Sequence, residues 1–107
     1  MTEFIDAAPE DWVEPGCTAT VDLEGVAVAL ANVDGTYCAF ANECPHQANI
    51  LGGQRLIRGR FVMCPGHGSM FDVTTGQCVV PSQDGWRGTL PTYETRTIDG
   101  VVQVRLS

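Results

Sequence analysis

The chain has 107 residues, enough for one domain spanning 1–107 with a modest core, and it carries 13 acids against six arginines and no lysine, for a net charge of −7. An acidic balance argues against nucleic acid as a partner; it keeps a small protein soluble first, and it steers the chain toward basic protein surfaces second. No run of about 18 apolar residues exists to span a membrane, and the start, Met1–Asp6, lacks the basic and apolar regions of a signal peptide. A cytosolic monomer is expected.

Apolar/polar alternation broken by turn residues at short intervals predicts an all-β domain. Thr18–Asp22 reads as a strand, and Val26–Val33 is a strongly β-prone run. Asp34-Gly35 makes a tight turn from it into Thr36–Ala41, giving a hairpin. Ala48–Leu51 reads as a short helical turn. Phe61–Met63 is a short strand, and Ser69–Asp72 pairs with Gln77–Val80 across Thr74-Thr75-Gly76. Tyr93–Ile98, Asp99-Gly100 and Val101–Leu106 form the clearest hairpin. Trp12, Trp86, Tyr37 and Tyr93 are read as packing residues first and electron-path residues second.

The chemistry sits in two short segments, Cys44-Pro45-His46 and Cys64-Pro65-Gly66-His67, which contain both histidines of the chain. A two-cysteine, two-histidine set fits either a [2Fe–2S] cluster, with the thiolates on one iron and the imidazoles on the other, or a tetrahedral zinc ion. Zinc fingers pair like ligands with like, whereas each segment here is mixed, which favours the cluster. Thiolates are the soft ligands such clusters take, and neutral imidazoles lift the potential into a range of roughly −150 to +300 mV. Pro45 and Pro65 fix φ after each cysteine and favour turns. Gly66 and Gly68 let the backbone pass close to inorganic sulfide. Cys17, Cys38 and Cys78 are expected as buried, reduced thiols, and a Cys38–Cys78 bridge is the disfavoured alternative. Arg55, Arg58 and Arg60 cluster between the two segments, as a partner contact or a solvated surface.

The pattern C-x-H followed by C-x2-H-G-S, here Cys44-Pro-His46 and Cys64-Pro-Gly-His67-Gly68-Ser69, resembles the Rieske family. The resemblance runs on through Phe71-Asp72, Thr75-Gly76 and Pro81 to Tyr93 and the closing hairpin. It implies one [2Fe–2S] cluster held by Cys44, His46, Cys64 and His67, with each histidine bound through Nδ1 and its Nε2 at the surface. It also implies an antiparallel β-sandwich base with a cluster-binding subdomain inserted at about 42–81, and a third loop opening at Pro81. Respiratory and photosynthetic members carry two further cysteines that clamp the loops by a disulfide. Asn49 and Gly66 stand there instead, so the chain looks like the ferredoxins of bacterial multicomponent oxygenases. High-potential members have a tyrosine where this chain has Phe71. Ser69 remains as a hydroxyl donor to sulfide, so a potential near the low end of the range is expected.

The function this implies is one-electron transfer from a flavin-dependent NAD(P)H reductase to a terminal oxygenase acting on aromatic or other apolar compounds. No histidine is left over for a two-histidine, one-carboxylate iron site, so the chain is not itself the oxygenase. The rival readings are the small Rieske subunit of an assimilatory nitrite reductase and a zinc-stabilised binding module.

Overall fold

The computed structural model describes residues 3–45, 50–66 and 68–106, and these form nine antiparallel strands without a helix. Among the described residues no helix is therefore long and apolar enough to cross a membrane. Six strands make one sheet in the order β1-β9-β8-β4-β3-β2: β1 (Phe4–Pro9), β2 (Thr18–Leu23), β3 (Val26–Val33), β4 (Thr36–Ala41), β8 (Thr92–Ile98) and β9 (Val101–Arg105). The remaining three, β5 (Phe61–Met63), β6 (Met70–Asp72) and β7 (Cys78–Val80), make a small second sheet.

The hairpins follow from their turn residues. Glu24-Gly25, Asp34-Gly35 and Asp99-Gly100 each place two successive residues at positive φ, the two-residue turn whose twist matches that of paired strands. Asn32 fixes the second of these by accepting the Gly35 N–H on Oδ1 at 2.7 Å.

The large sheet is two three-stranded halves, β1-β9-β8 and β2-β3-β4, joined by the short pairing of Ala39 with Tyr93 and Phe40 with Thr92. The halves face one another across a core of Ala8, Leu23, Val28, Leu30, Tyr37, Ala39, Val102 and Val104, which is the sandwich base. Tyr37 packs there, and its hydroxyl donates to the Glu10 carbonyl at 2.8 Å while accepting the Val13 N–H at 3.0 Å. It is thus a structural tie for the loop after β1, whereas Trp12 on that loop is exposed.

Strands β3 and β4 are buried on both faces, because alternate residues serve different cores. Val28, Leu30, Tyr37 and Ala39 fill the base, while Ala29, Ala31 and Phe40 point into a second core. Small alanines on that second face let the chain between β4 and β8 pack close to the base. The second core holds Leu51, Leu56, Val62, Phe71, Val73, Cys78 and Leu90, together with Cys44 and Cys64.

Two elements differ from the sequence reading. Phe4–Pro9 is a strand, paired with β9 through Ile5–Val104 and kinked between Asp6 and Ala8. Of the expected helical turn at 48–51, Ala48 and Asn49 lie outside the described residues, and Ile50 instead makes an antiparallel bridge with Glu43.

Candidate metal centre

Both cysteine-bearing loops leave the ends of strands and are tied at their bases. The first follows β4. Asn42, itself buried, accepts the Leu51 N–H on its backbone carbonyl at 3.2 Å and the Gly52 N–H on Oδ1 at 2.6 Å. Asn42 thereby brings the two ends of the loop together, with Glu43 bridging Ile50 just above. The second loop follows β5 and is tighter. The Cys64 N–H donates to the Ser69 carbonyl at 2.8 Å, and the Gly68 N–H donates back to the Cys64 carbonyl at 3.1 Å. Gly68 has φ +74°, the left-handed conformation that the turn requires and that glycine adopts without penalty.

The two loops are joined by Gln54. Its Nε2 donates to the Leu51 carbonyl at 2.8 Å and the Met63 carbonyl at 3.1 Å, and its Oε1 accepts the Met63 N–H at 3.1 Å. Its own carbonyl takes the Thr18 hydroxyl from β2 at 2.5 Å. One side chain therefore connects the end of the first loop to the residue preceding Cys64. Gln54→Ala is expected to cost about 1–2 kcal/mol by removing these bonds, a loss that appears as a lower urea midpoint at unchanged slope.

The structure brings Cys44 and Cys64 into the same apolar core, 2 % and 1 % exposed. Ser69, fully buried beside the second loop, has a hydroxyl without a hydrogen-bond partner among the described residues. A buried, unpaired hydroxyl costs about 1–3 kcal/mol, so it marks a place where an acceptor belongs. Phe71 is fully buried and meets Trp86 edge-on, with ring centroids 6.1 Å apart. Trp86 is accordingly a packing residue, partly buried against the second core. Gly66 and Pro81 are both exposed, at the second loop and just after β7. His46 and His67 lie outside the described residues, as does Asn49.

The other three cysteines are apart from this pair in character. Cys78 is buried, with its thiol directed to the Val80 carbonyl at 3.2 Å. Cys17 and Cys38 are only half-buried, contrary to the expectation of full burial, and Cys38 and Cys78 are not bridged. Burial, together with the negative charge of Asp72, pushes the Cys38 thiol above its usual range despite the opposing charge of Arg60, which keeps it protonated and unreactive.

Arg60 is not a purely solvated charge. Its Nε donates to Asp72 Oδ2 at 2.8 Å, and its Nη2 to the Thr74 hydroxyl at 3.1 Å. Asp72 also accepts the Thr74 N–H and hydroxyl on Oδ1 at 2.9 and 2.6 Å. Burial raises the Asp72 carboxyl, but the Thr74 and Arg60 bonds outweigh it and hold the group below the ordinary carboxylate range.

A Rieske [2Fe-2S] domain model matches residues 3–94 of the chain. The chain belongs to the Rieske [2Fe–2S] family. This Rieske domain is 36 % identical over 80 residues to the ferredoxin component of the naphthalene 1,2-dioxygenase/salicylate 5-hydroxylase systems of a Ralstonia species, covering 74 % of the chain and 76 % of that protein. It superposes on the ferredoxin of Sphingomonas yanoikuyae B1 with a TM-score of 0.82 at 28 % identity, covering 98 % of the chain and 100 % of the ferredoxin. A putative nitrite reductase small subunit superposes with a TM-score of 0.69 at 26 % identity, over 98 % of the chain and 99 % of that subunit. Like the ferredoxins it matches over most of their length, this Rieske domain is an electron carrier and not itself an oxygenase.

Asn42, Gln54 and Ser82 were not singled out by the sequence. They are polar residues whose partners are backbone groups or absent, and no spacing pattern announces such roles.

Proposed function

We propose that this Rieske domain carries one cluster on Cys44, Cys64, His46 and His67, and passes single electrons from a flavin-dependent NAD(P)H reductase to a terminal oxygenase. The observation that carries the reading is the convergence of Cys44 and Cys64, from two separate loops, in one dry core beside the unpartnered Ser69 hydroxyl. The donor set fits the group: two buried thiols for one iron, and a hydroxyl able to donate to sulfide. When bound, the cluster supplies a reversible one-electron couple.

The chain's own residues do the rest. Cys44 and Cys64 bind as thiolates, so loading releases their protons. Leu51, Val62, Phe71 and the partly buried Trp86 exclude water around them, which strengthens each hydrogen bond to sulfur. Gln54 and Asn42 hold the loops in register without the disulfide of other members. The net charge of −7 steers the domain toward basic faces on its reductase and oxygenase, and a cytosolic monomer suits a carrier that visits both.

The test is an EPR spectrum of the dithionite-reduced protein, with iron and sulfide measured on the same sample. A rhombic signal with two irons per chain is expected, and zinc in place of iron would replace this reading with that of a structural module. The nitrite reductase reading is favoured only by the lower structural likeness to a small subunit. It predicts co-purification with a large flavin- and haem-containing chain, whereas a carrier elutes alone.

Phe71→Tyr is expected to raise the reduction potential. The position is fully buried and one residue after Met70, which follows Ser69. A hydroxyl placed there donates to sulfur and stabilises the more negative, reduced state. The expected gain is on the order of tenfold in the reduction equilibrium, about 59 mV by voltammetry. An unchanged potential would show that the ring edge faces the core and not the ligand loops.

A further inference from the structure

The register of the small sheet puts Ser82 at the end that carries the Cys64 loop. Met63 pairs with Met70, and Met70 pairs with Val80, so these three residues form one row across β5, β6 and β7. One step beyond that row lie Cys64, Ser69 and Pro81. The ladder continues there through the Cys64–Ser69 hydrogen bond of 2.8 Å. Ser82 follows Pro81 and opens a closed turn. Its N–H donates to the Trp86 carbonyl at 3.0 Å, and its carbonyl accepts the Gly85 N–H at 2.8 Å. Trp86, which packs on Phe71, anchors this turn over the second core.

Pro81, Gln83, Asp84 and Gly85 are exposed, yet Ser82 between them is only 4 % exposed. Its Oγ is buried and has no hydrogen-bond partner among the described residues. The same is true of one other hydroxyl there, that of Ser69. Two orphaned hydroxyls thus stand at the same end of the same sheet, one in the second ligand loop and one in the turn after β7. Each is destabilising if nothing accepts its proton. The closed turn takes the Ser82 hydroxyl inside, where no group among the described residues accepts its proton.

We propose that the Ser82 hydroxyl donates a hydrogen bond to a sulfur of the cluster shell. It is a second potential-setting donor beside Ser69, on a chain whose Phe71 has none to offer. The inference rests on the cluster reading above. Hydrogen bonds to cluster sulfur favour the reduced state, so Ser82 raises the potential and adjusts the driving force toward the electron acceptor.

The experiment compares the holoprotein with Ser82→Ala, Ser82→Thr and Ser82→Val by voltammetry, with iron content and the EPR signal recorded for each. Thr and Val match in shape and differ by the hydroxyl, so their comparison stands even if the alanine variant loses cluster. Ser82→Ala is expected to keep its iron and lower the reduction equilibrium about tenfold, a shift of about 59 mV downward. Thr is expected to stay near the parent and Val to follow Ala. In resonance Raman spectra, Fe–S frequencies of the parent should shift in D2O more than those of Ser82→Val. Equal potentials for Thr and Val, with cluster intact, would overturn the assignment and give the hydroxyl a water or protein acceptor instead. A dithionite-reduced parent protein without an iron–sulfur EPR signal would overturn the cluster reading itself, and Ser82 with it.

Discussion

Cys64→Ser is expected to yield a colourless protein without bound iron, and to loosen the small sheet. Cys64 is 1 % exposed and packs in the second core with Val62, Phe71 and Leu51. A serine there keeps the backbone bonds to Ser69 and Gly68 but offers a hard hydroxyl that stays protonated, where iron in this setting takes a soft thiolate. It also buries a new hydroxyl next to that of Ser69, at about 1–3 kcal/mol. On the proposed ligand set the cluster would cross-link the two loops, so its loss would remove a restraint as well as a ligand. Amide exchange should therefore quicken in β5, β6 and β7 and remain slow in β9, whose core residues Val102 and Val104 belong to the base. Cys44→Ser is expected to do the same, because Cys44 lies in the same core. Cys17→Ser is the control. Cys17 is half-buried against the base core and should retain full iron. Retention of iron and colour by Cys64→Ser would refute the ligand assignment.

What the sequence revealed and what it hid divide along physical lines. Strands β3, β4 and β5 were legible to the residue, β3 and β4 because Asp34-Gly35 fixes the register between the Val26–Val33 run and Thr36–Ala41. Asp99-Gly100 fixed the register of β8 and β9, whose outer ends, Thr92 and Arg105, each lie one residue from the expected Tyr93 and Leu106. Strand β1 was hidden because Phe4–Pro9 does not alternate: its burial is irregular, and its pairing to β9 slips between Asp6 and Ala8. Its strand character is set by the partner and not by its own pattern. The cysteine pair was legible because cysteine and histidine at short fixed spacing have few other uses. Gln54 was hidden because an amide that holds backbone groups at Leu51 and Met63 looks like any loop glutamine until the two loops are seen together. Ser82 was hidden for the complementary reason. A serine after a proline in a polar stretch reads as solvated, and only the closed turn through Trp86 takes it inside.

Gly76→Ala is expected to be the most damaging single substitution in the small sheet outside the ligands. Gly76 closes the β6–β7 hairpin at φ +80°, a conformation that costs an L-residue about 1–2 kcal/mol. Its N–H donates to the Asp72 carbonyl at 2.7 Å, and its carbonyl accepts the Leu90 N–H at 2.8 Å, so the turn is stitched to the segment that leads into β8. A Cβ built on Gly76 would run into the Leu90 carbonyl oxygen, with the Thr92 methyl at 3.2 Å behind it. The obstacle is backbone, and no rotamer change relieves it. Leu90 is 1 % exposed and belongs to the same core as Cys44 and Cys64, so moving its backbone disturbs the packing around both cysteines. Strain and lost packing together should cost at least about 3 kcal/mol, read as a drop in the urea midpoint. The same shift should speed cluster loss to a chelator, because the hairpin can no longer hold Ser69 and the Ser82 turn against the loops. A Gly76→Ala variant with the parent's midpoint would mean that the β6–β7 turn and the Leu90 segment move freely past one another, and that the small sheet is not what positions the ligand loops.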